Sequence, residues 1–238
     1  MFSRQVTITE ELAGRNSHLS LKEMATLLVD TAGGHLTTVG LTGPELREYD
    51  LAWVIVKRNV EILNDIFVGD TVTFETRAGK PRHGMYPRIF DLKNNAGEVL
   101  AHVEEIWVVM DIKNRVMVDR TYFTDSYPEE MSEPVRYRKM QITELELSKV
   151  KERTADESET DVNGHINNAY FLRWADQVLG SEIESASVRK VYIEYAREIL
   201  AGEKVTLRYG IDSESCEFYL KGEVEGEERF TVYFTFEK

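Results

Sequence analysis

The chain has 238 residues, 42% hydrophobic and 30% charged, with 15 Gly and only 5 Pro, a composition that excludes disordered and fibrous classes. Its 29 Lys and Arg against 42 Asp and Glu give a formal charge of −13, a field that repels phosphate backbones and argues against nucleic acid as a partner. The single Cys216 excludes an internal disulfide and a cysteine zinc cluster, and no apolar run approaches the ~18 residues of a membrane span.

In chain order, the opening MFSRQVTITEEL has neither the apolar core of a secretory signal nor the Arg- and Ser-rich character of a transit peptide. Together with the lone cysteine, this leads us to expect a reducing cytoplasm. An alternating run predicts a strand over Gln5–Thr9. Leu21, Met24, Ala25, Leu28 and Ala32 then fall at helical spacing and predict a helix over Leu19–Ala32. Gly33–Tyr49, with four Gly and one Pro, reads as a long connection. Strands are predicted over Trp53–Leu63, Thr71–Arg77, Val99–Met110 and Arg115–Val118. Pro128, Pro134 and the cluster Arg136–Lys139 interrupt the pattern and mark a linker over residues 126–141. Beyond it come strands over Ile142–Lys151, Val188–Tyr195, Lys204–Ile211, Glu217–Val224 and Arg229–Phe236. A second helix, Asn168–Leu179, carries Tyr170, Phe171, Trp174, Ala175 and Val178 on its apolar stripe.

The two halves repeat one another. Aligning Arg58–Phe74 with Val191–Leu207 matches Glu61 with Glu194, Ile66 with Ile199, Gly69 with Gly202, Val72 with Val205 and Thr73 with Thr206. Chance at average residue usage gives about one identity over such a stretch. Asp65 falls opposite Glu198, and Asn16-Ser17-His18 opposite Asn163-Gly164-His165. The predicted fold class is therefore α+β: two antiparallel sheets, each wrapped around a long buried helix, in units 1–125 and 142–238. Edge strands of the two units can pair and extend one sheet. That geometry is a tandem (double) hotdog.

The densest polar cluster is Asp161-Val162-Asn163-Gly164-His165-Ile166-Asn167-Asn168, directly before the second helix. On spacing alone it serves as a tight Asn-Gly turn with Asn167 or Asn168 as N-cap. A calcium loop fits poorly, because Leu172 stands where a bidentate Glu is needed. Zinc lacks partners among His18, His35, His83 and His102, which show no ligand spacing.

The next landmark, Tyr192-Ile193-Glu194-Tyr195-Ala196-Arg197-Glu198, gives the cluster a functional reading. Here the sequence closely resembles the acyl-acyl carrier protein thioesterases. The family pattern Asp-x-Asn-x-His-x-Asn-Asn is matched by Asp161, Asn163, His165, Asn167 and Asn168, and its Glu-Tyr-x-Arg-Glu stretch by Glu194, Tyr195, Arg197 and Glu198. Ala52-Trp53-Val54-Ile55, Gly69-Asp70 and Ala101–Asp111 resemble the family's N-terminal half. One position departs: plant members carry a cysteine after that Glu, and this chain has Ile199. Cys216, in a different predicted strand, is read as a small residue of the sheet, so a covalent cysteine mechanism has no nucleophile here.

The resemblance implies hydrolysis of a fatty acyl-carrier protein thioester by water, with no cofactor. Such a reaction needs a base and donors for the developing oxyanion. Glu198 is the expected general base, its pKa raised by desolvation in a cleft. Asp161 is expected to orient the site, Asn163 to position water, and His165 to donate to the carbonyl or share the base role. Backbone N–H groups at the start of the second helix offer an oxyanion site. The first half keeps Asn16 and His18 but has Gly14 where Asp161 sits, which suggests binding without catalysis, with Met24, Leu27, Leu28 and Val29 lining an acyl channel. An acidic carrier needs a basic surface, for which Lys80, Arg82 and His83, or Arg136, Arg138 and Lys139, are candidates. An acyl-CoA thioesterase and a catalytically dead acyl-binding protein are the alternatives; a hotdog dehydratase fits the motif less well. The tandem already supplies two units in one chain, compatible with a monomer or a homodimer.

Overall fold

Period-2 burial folds the apolar runs into strands joined by tight turns. The computed structural model describes residues 1–118, 140–161 and 164–238. In chain order these form β1 (Phe2–Thr7), α1 (Leu21–Thr37), α2 (Gly43–Arg47), β2 (Leu51–Ile62), β3 (Thr71–Ala78), β4 (Met85–Lys93), β5 (Val99–Asp111) and β6 (Val116–Met117). The second half contributes β7 (Lys149–Thr154), α3 (Ala169–Glu182), β8 (Ser187–Tyr195), β9 (Lys204–Asp212), β10 (Glu217–Val224) and β11 (Glu227–Glu237).

All the strands join one antiparallel sheet in the order β1-β3-β4-β5-β2-β8-β11-β10-β9-β7, with β6 beside β5. That order is a palindrome about the β2–β8 seam. Outward from it, β5 answers β11, β4 answers β10, β3 answers β9 and β1 answers β7. The repeat legible in the sequence is thus a repeat of topology within an α+β fold. The two expected sheets are joined into one by pairing of their edge strands, through the register Lys57↔Glu194 to Glu61↔Lys190.

Both long helices pack on the same core and against each other. α1 buries Met24, Ala25, Leu28 and Ala32, and α3 buries Phe171, Trp174, Ala175 and Val178. Each large side chain so buried stabilises the fold by ~1.5–3 kcal/mol. Ser20 caps α1, its hydroxyl accepting the Glu23 N–H at 3.1 Å. At the seam, Arg58 and Glu105 are both buried; Arg58 Nε donates to Glu105 Oε1 at 2.6 Å, and Trp107 Nε1 donates to Oε2 at 2.6 Å. A charge this deep persists because it is paired.

Several elements differ from the sequence reading, each for a physical reason. β4 escapes it because Arg88 stands in the inward row of Tyr86, Phe90 and Leu92. Arg88 is buried there by donating to Thr76 Oγ1 (3.1 Å) and His35 Nδ1 (3.0 Å). Pro87 is tolerated because the β3 register ends at Ala78↔Arg88, one residue short of it. α1 continues through Gly33-Gly34 to Thr37: a Cβ on Gly34 would come within 2.6 Å of the Phe2 ring, so glycine here permits close packing and does not end the helix. α2 forms in the expected connection, started by a Thr42–Glu45 capping box. The strand expected from Ile142 begins only at Lys149. Met140, Ile142, Leu145 and Leu147 instead cover Tyr192, Tyr219 and Tyr233 on the outer face. Glu146 crosses Gly210 so closely that a Cβ would lie 2.4 Å from its carbonyl oxygen. The expected linker, apart from Met140 and Gln141, lies outside the described residues. No helix among the described residues is long and apolar enough to cross a membrane, which says nothing of β-barrels.

Candidate active site

After β8 the chain turns and returns alongside the segment that leads into α3. Ile166 N–H donates to Ile199 O at 2.8 Å, and His165 forms an isolated bridge with Leu200. The segment is itself a tight turn: Asp161 N–H donates to His165 O (2.7 Å) and Gly164 N–H to Asp161 O (3.0 Å). Gly164 has φ +79°, a conformation favouring glycine. Asp161 Oδ1 accepts the His165 backbone N–H at 3.3 Å. Asn167 closes the turn, donating its N–H to Glu159 O (2.9 Å) and accepting the Ala169 N–H on Oδ1 (3.0 Å), which caps α3. Glu159 is fixed by Arg153 Nη2 at 2.6 Å and Trp174 Nε1 at 3.1 Å. The backbone around His165 is therefore pinned on both sides.

The imidazole points at Glu198: His165 Nε2 lies 3.2 Å from Glu198 Oε2. The other oxygen, Oε1, lies 2.8 Å from Arg115 Nη2. Arg115 sits in the β5–β6 turn of the first half, and nothing in the sequence points to it, because its partner lies 83 residues away along the chain. Ile112, Val116, Met117 and Leu200, neighbours of these residues along the chain, are exposed apolar side chains. Tyr195, at the end of β8, has its phenol pushed up to about 12 by burial, so it stays protonated at neutral pH.

Asp161, His165 and Glu198 thus come together, Asp161 on the backbone of His165 and Glu198 on its ring. Asn163 lies outside the described residues. Four expectations need correcting. The Glu198 side chain is 39% exposed and ion-paired, not desolvated in a cleft. The first amides of α3 are taken by Asn167 Oδ1, Asn167 O and Asn168 O, so they are not free oxyanion donors. Val29 is 41% exposed, whereas Met24, Leu27 and Leu28 are buried. Cys216 occupies the β9–β10 turn at φ +55°, not a strand, at the sheet end opposite Glu198.

The first half repeats the scaffold at the other end of the β2–β8 pair. Gly14 N–H donates to His18 O and Leu19 N–H to Ile66 O, both at 2.8 Å, and His18 bridges Phe67. Its acid is engaged differently: Arg189 Nη1 lies 2.6 Å from Asp65 Oδ1, while His18 Nδ1 stands 3.9 Å away. Arg15 reaches Asp176 of α3 at 2.6 Å. A cavity of about 60 Å³ lies between them, lined by Gly14, His18, Met24, Asp65 and Val188, room for about two waters. Among the described residues no three His, Cys, Asp or Glu side chains converge as a metal site.

A histidine contacted by two carboxylates at an open sheet end has the groups that acid–base chemistry on a polar bond requires. Residues 1–122 match the family described as acyl-ACP thioesterase N-terminal domain, and residues 140–238 the acyl-ACP thioesterase C-terminal domain. The chain belongs to the acyl-ACP thioesterase family. It is 26% identical over 224 residues to a chloroplastic acyl-[acyl-carrier-protein] hydrolase of Cuphea viscosissima. It is 27% identical to a chloroplastic palmitoyl-acyl carrier protein thioesterase of Cuphea hookeriana. Each match covers 83% of this chain, and the chain spans about half (52%) of the length of these curated relatives. An acyl-ACP thioesterase from Bacteroides thetaiotaomicron superposes with a TM-score of 0.86 at 18% identity, over 99% of this chain and 97% of that one. The 12:0-ACP thioesterase from Umbellularia californica gives 0.84 at 18% identity, over 99% and 96%. These superpositions establish the fold.

Proposed function

We propose that this chain hydrolyses the thioester of fatty acyl-acyl carrier protein, releasing free fatty acid by attack of water. The observation that carries the proposal is the His165–Glu198 contact at 3.2 Å, with Asp161 bracing the same histidine through its backbone. Glu198 takes the water proton with His165 sharing it, the water oxygen bonds the carbonyl carbon as the C–S bond breaks, and the proton leaves with the departing thiol. Two of about four lone-pair sites on the Glu198 carboxylate are engaged, which leaves room for the water. Asn163 positions that water. Family membership and the names of the relatives support the substrate class.

In the same reading each half of the palindrome is a hotdog unit, 1–125 and 142–238. The first binds the acyl chain through Met24, Leu27 and Leu28 and the second performs the chemistry. The acidic carrier docks on Lys80, Arg82 and His83, exposed in the β3–β4 turn at the same sheet end as Glu198. Arg136, Arg138 and Lys139 lie outside the described residues. The test is hydrolysis of purified acyl-carrier protein and acyl-CoA side by side, with chromatography of the acids released on overexpression in a bacterial host. Release of free acid with preference for carrier-bound substrate is expected. Replacing Asp161 or Glu198 by Ala should lower turnover ~100-fold or more. Normal rates in both folded variants would refute the proposal.

A further inference from the structure

We infer that Arg115 is a positioning residue for the Glu198–His165 pair, delivered across the seam from the half that lacks the chemistry. The inference rests on reading that pair as the base. The carboxylate is held between one side chain from each half: Arg115 Nη2 at 2.8 Å from Oε1 and His165 Nε2 at 3.2 Å from Oε2. With Oε1 held, Oε2 is the oxygen presented to the imidazole.

The turn that carries Arg115 is built to aim it. Asp111 Oδ1 accepts the N–H groups of Lys113 (2.9 Å) and Asn114 (2.8 Å), and Lys113 Nζ pairs with Asp50 at 2.5 Å. The turn's acids are thus engaged elsewhere, and Arg115 reaches out of its own half to Glu198. Its backbone has φ +54°, where Gly or Asn is the unstrained choice. Among the described residues, other charged groups of this turn and its neighbours have partners of their own. Arg197 pairs with Glu227 at 2.6 Å, Arg229 faces Glu227 at 3.6 Å, and Asp161 Oδ1 accepts from the His165 backbone. Among the described residues, Arg115 is therefore the permanent cation at Glu198.

The guanidinium holds one carboxylate oxygen in place and so fixes the direction in which the other meets the imidazole. Both partners are solvent-accessible, so the effect is moderate. The experiment measures kcat and KM separately for acyl-carrier protein hydrolysis by the intact chain, in wild type, Arg115→Ala, Arg115→Lys, Glu198→Gln and the Glu198→Gln/Arg115→Ala double variant. Arg115→Ala should lower kcat about fivefold and leave KM within about twofold. Arg115→Lys should restore part of kcat. In the Glu198→Gln background Arg115→Ala should add nothing. If Glu198→Gln is inactive while Arg115→Ala keeps the wild-type kcat, the positioning role is wrong and the base assignment survives. A rise in KM alone would make Arg115 a substrate contact and overturn the inference. Wild-type turnover in Glu198→Gln would instead overturn the base assignment.

Discussion

The turns around His18 and His165 share a backbone and differ in how their acids are engaged. In both, an N–H four residues upstream donates to the histidine carbonyl, and the next residue donates to the strand returning from the sheet. In the first half Arg189, from the second half, lies within 3.4 Å of both oxygens of Asp65, the imidazole stands 3.9 Å off, and Gly14 replaces the bracing aspartate. In the second half Arg115, from the first, pairs with one oxygen of Glu198 and the other stays beside His165. Each copy receives an arginine from its neighbour. What separates a scaffold from a candidate site is which carboxylate oxygen that arginine leaves available.

The comparison can be broken at several points. The largest effect is expected at the seam both copies share. Arg58→Met strands the fully buried Glu105 and should cost about 3–5 kcal/mol in denaturant unfolding. A loss below about 1 kcal/mol would show that the pair does not hold the seam. Next, Glu198→Ala should reduce kcat/KM ~100-fold while Asp65→Ala, its counterpart, stays within about twofold; equal losses would erase the distinction. Restoring the missing acid with Gly14→Asp in the Glu198→Ala background should recover no hydrolysis, because Arg189 still occupies Asp65. Recovered turnover would mean that Gly14 alone silences the first copy.

The smallest effect is a pH dependence confined to the first half. His102 is held up to about 9, chiefly by its hydrogen bond to Asp91 at 2.7 Å and then by Glu104. Its folded-state value lies above the ordinary 6.5, so its contribution is complete below pH 6.5 and lost as pH rises through about 9. His35 is pushed down to about 4 by burial and then by Arg88, so its neutral form favours folding and that contribution fades as pH falls from 6.5 toward 4. Urea unfolding of His102→Gln should lose the alkaline decline and keep the acidic one; an unchanged alkaline slope would contradict the assignment.

Much of this was legible in the chain. The offsets that pair Asp65 with Glu198 and His18 with His165 reappear as matched hydrogen bonds, because backbone repeats follow sequence repeats. β4 was hidden since its inward row includes Arg88, a charge that only its contacts with His35 and Thr76 make tolerable. The 140–148 segment reads as a strand by its alternation, yet its apolar residues serve a sheet face and not a ladder. Arg115 was invisible because local pattern carries no information about a partner brought near by the fold. The exposure of Glu198 was misjudged for the same reason: desolvation depends on what surrounds a turn, and residue type does not report it.

The central claim, that His165 and Glu198 act as one unit in the second half only, is tested most directly by a double-mutant cycle in kcat/KM. The account predicts that His165→Ala and Glu198→Ala together are little worse than either alone, while His18→Ala with Asp65→Ala leaves hydrolysis near wild type. Fully additive losses at His165 and Glu198, or a comparable loss at His18 and Asp65, would contradict it.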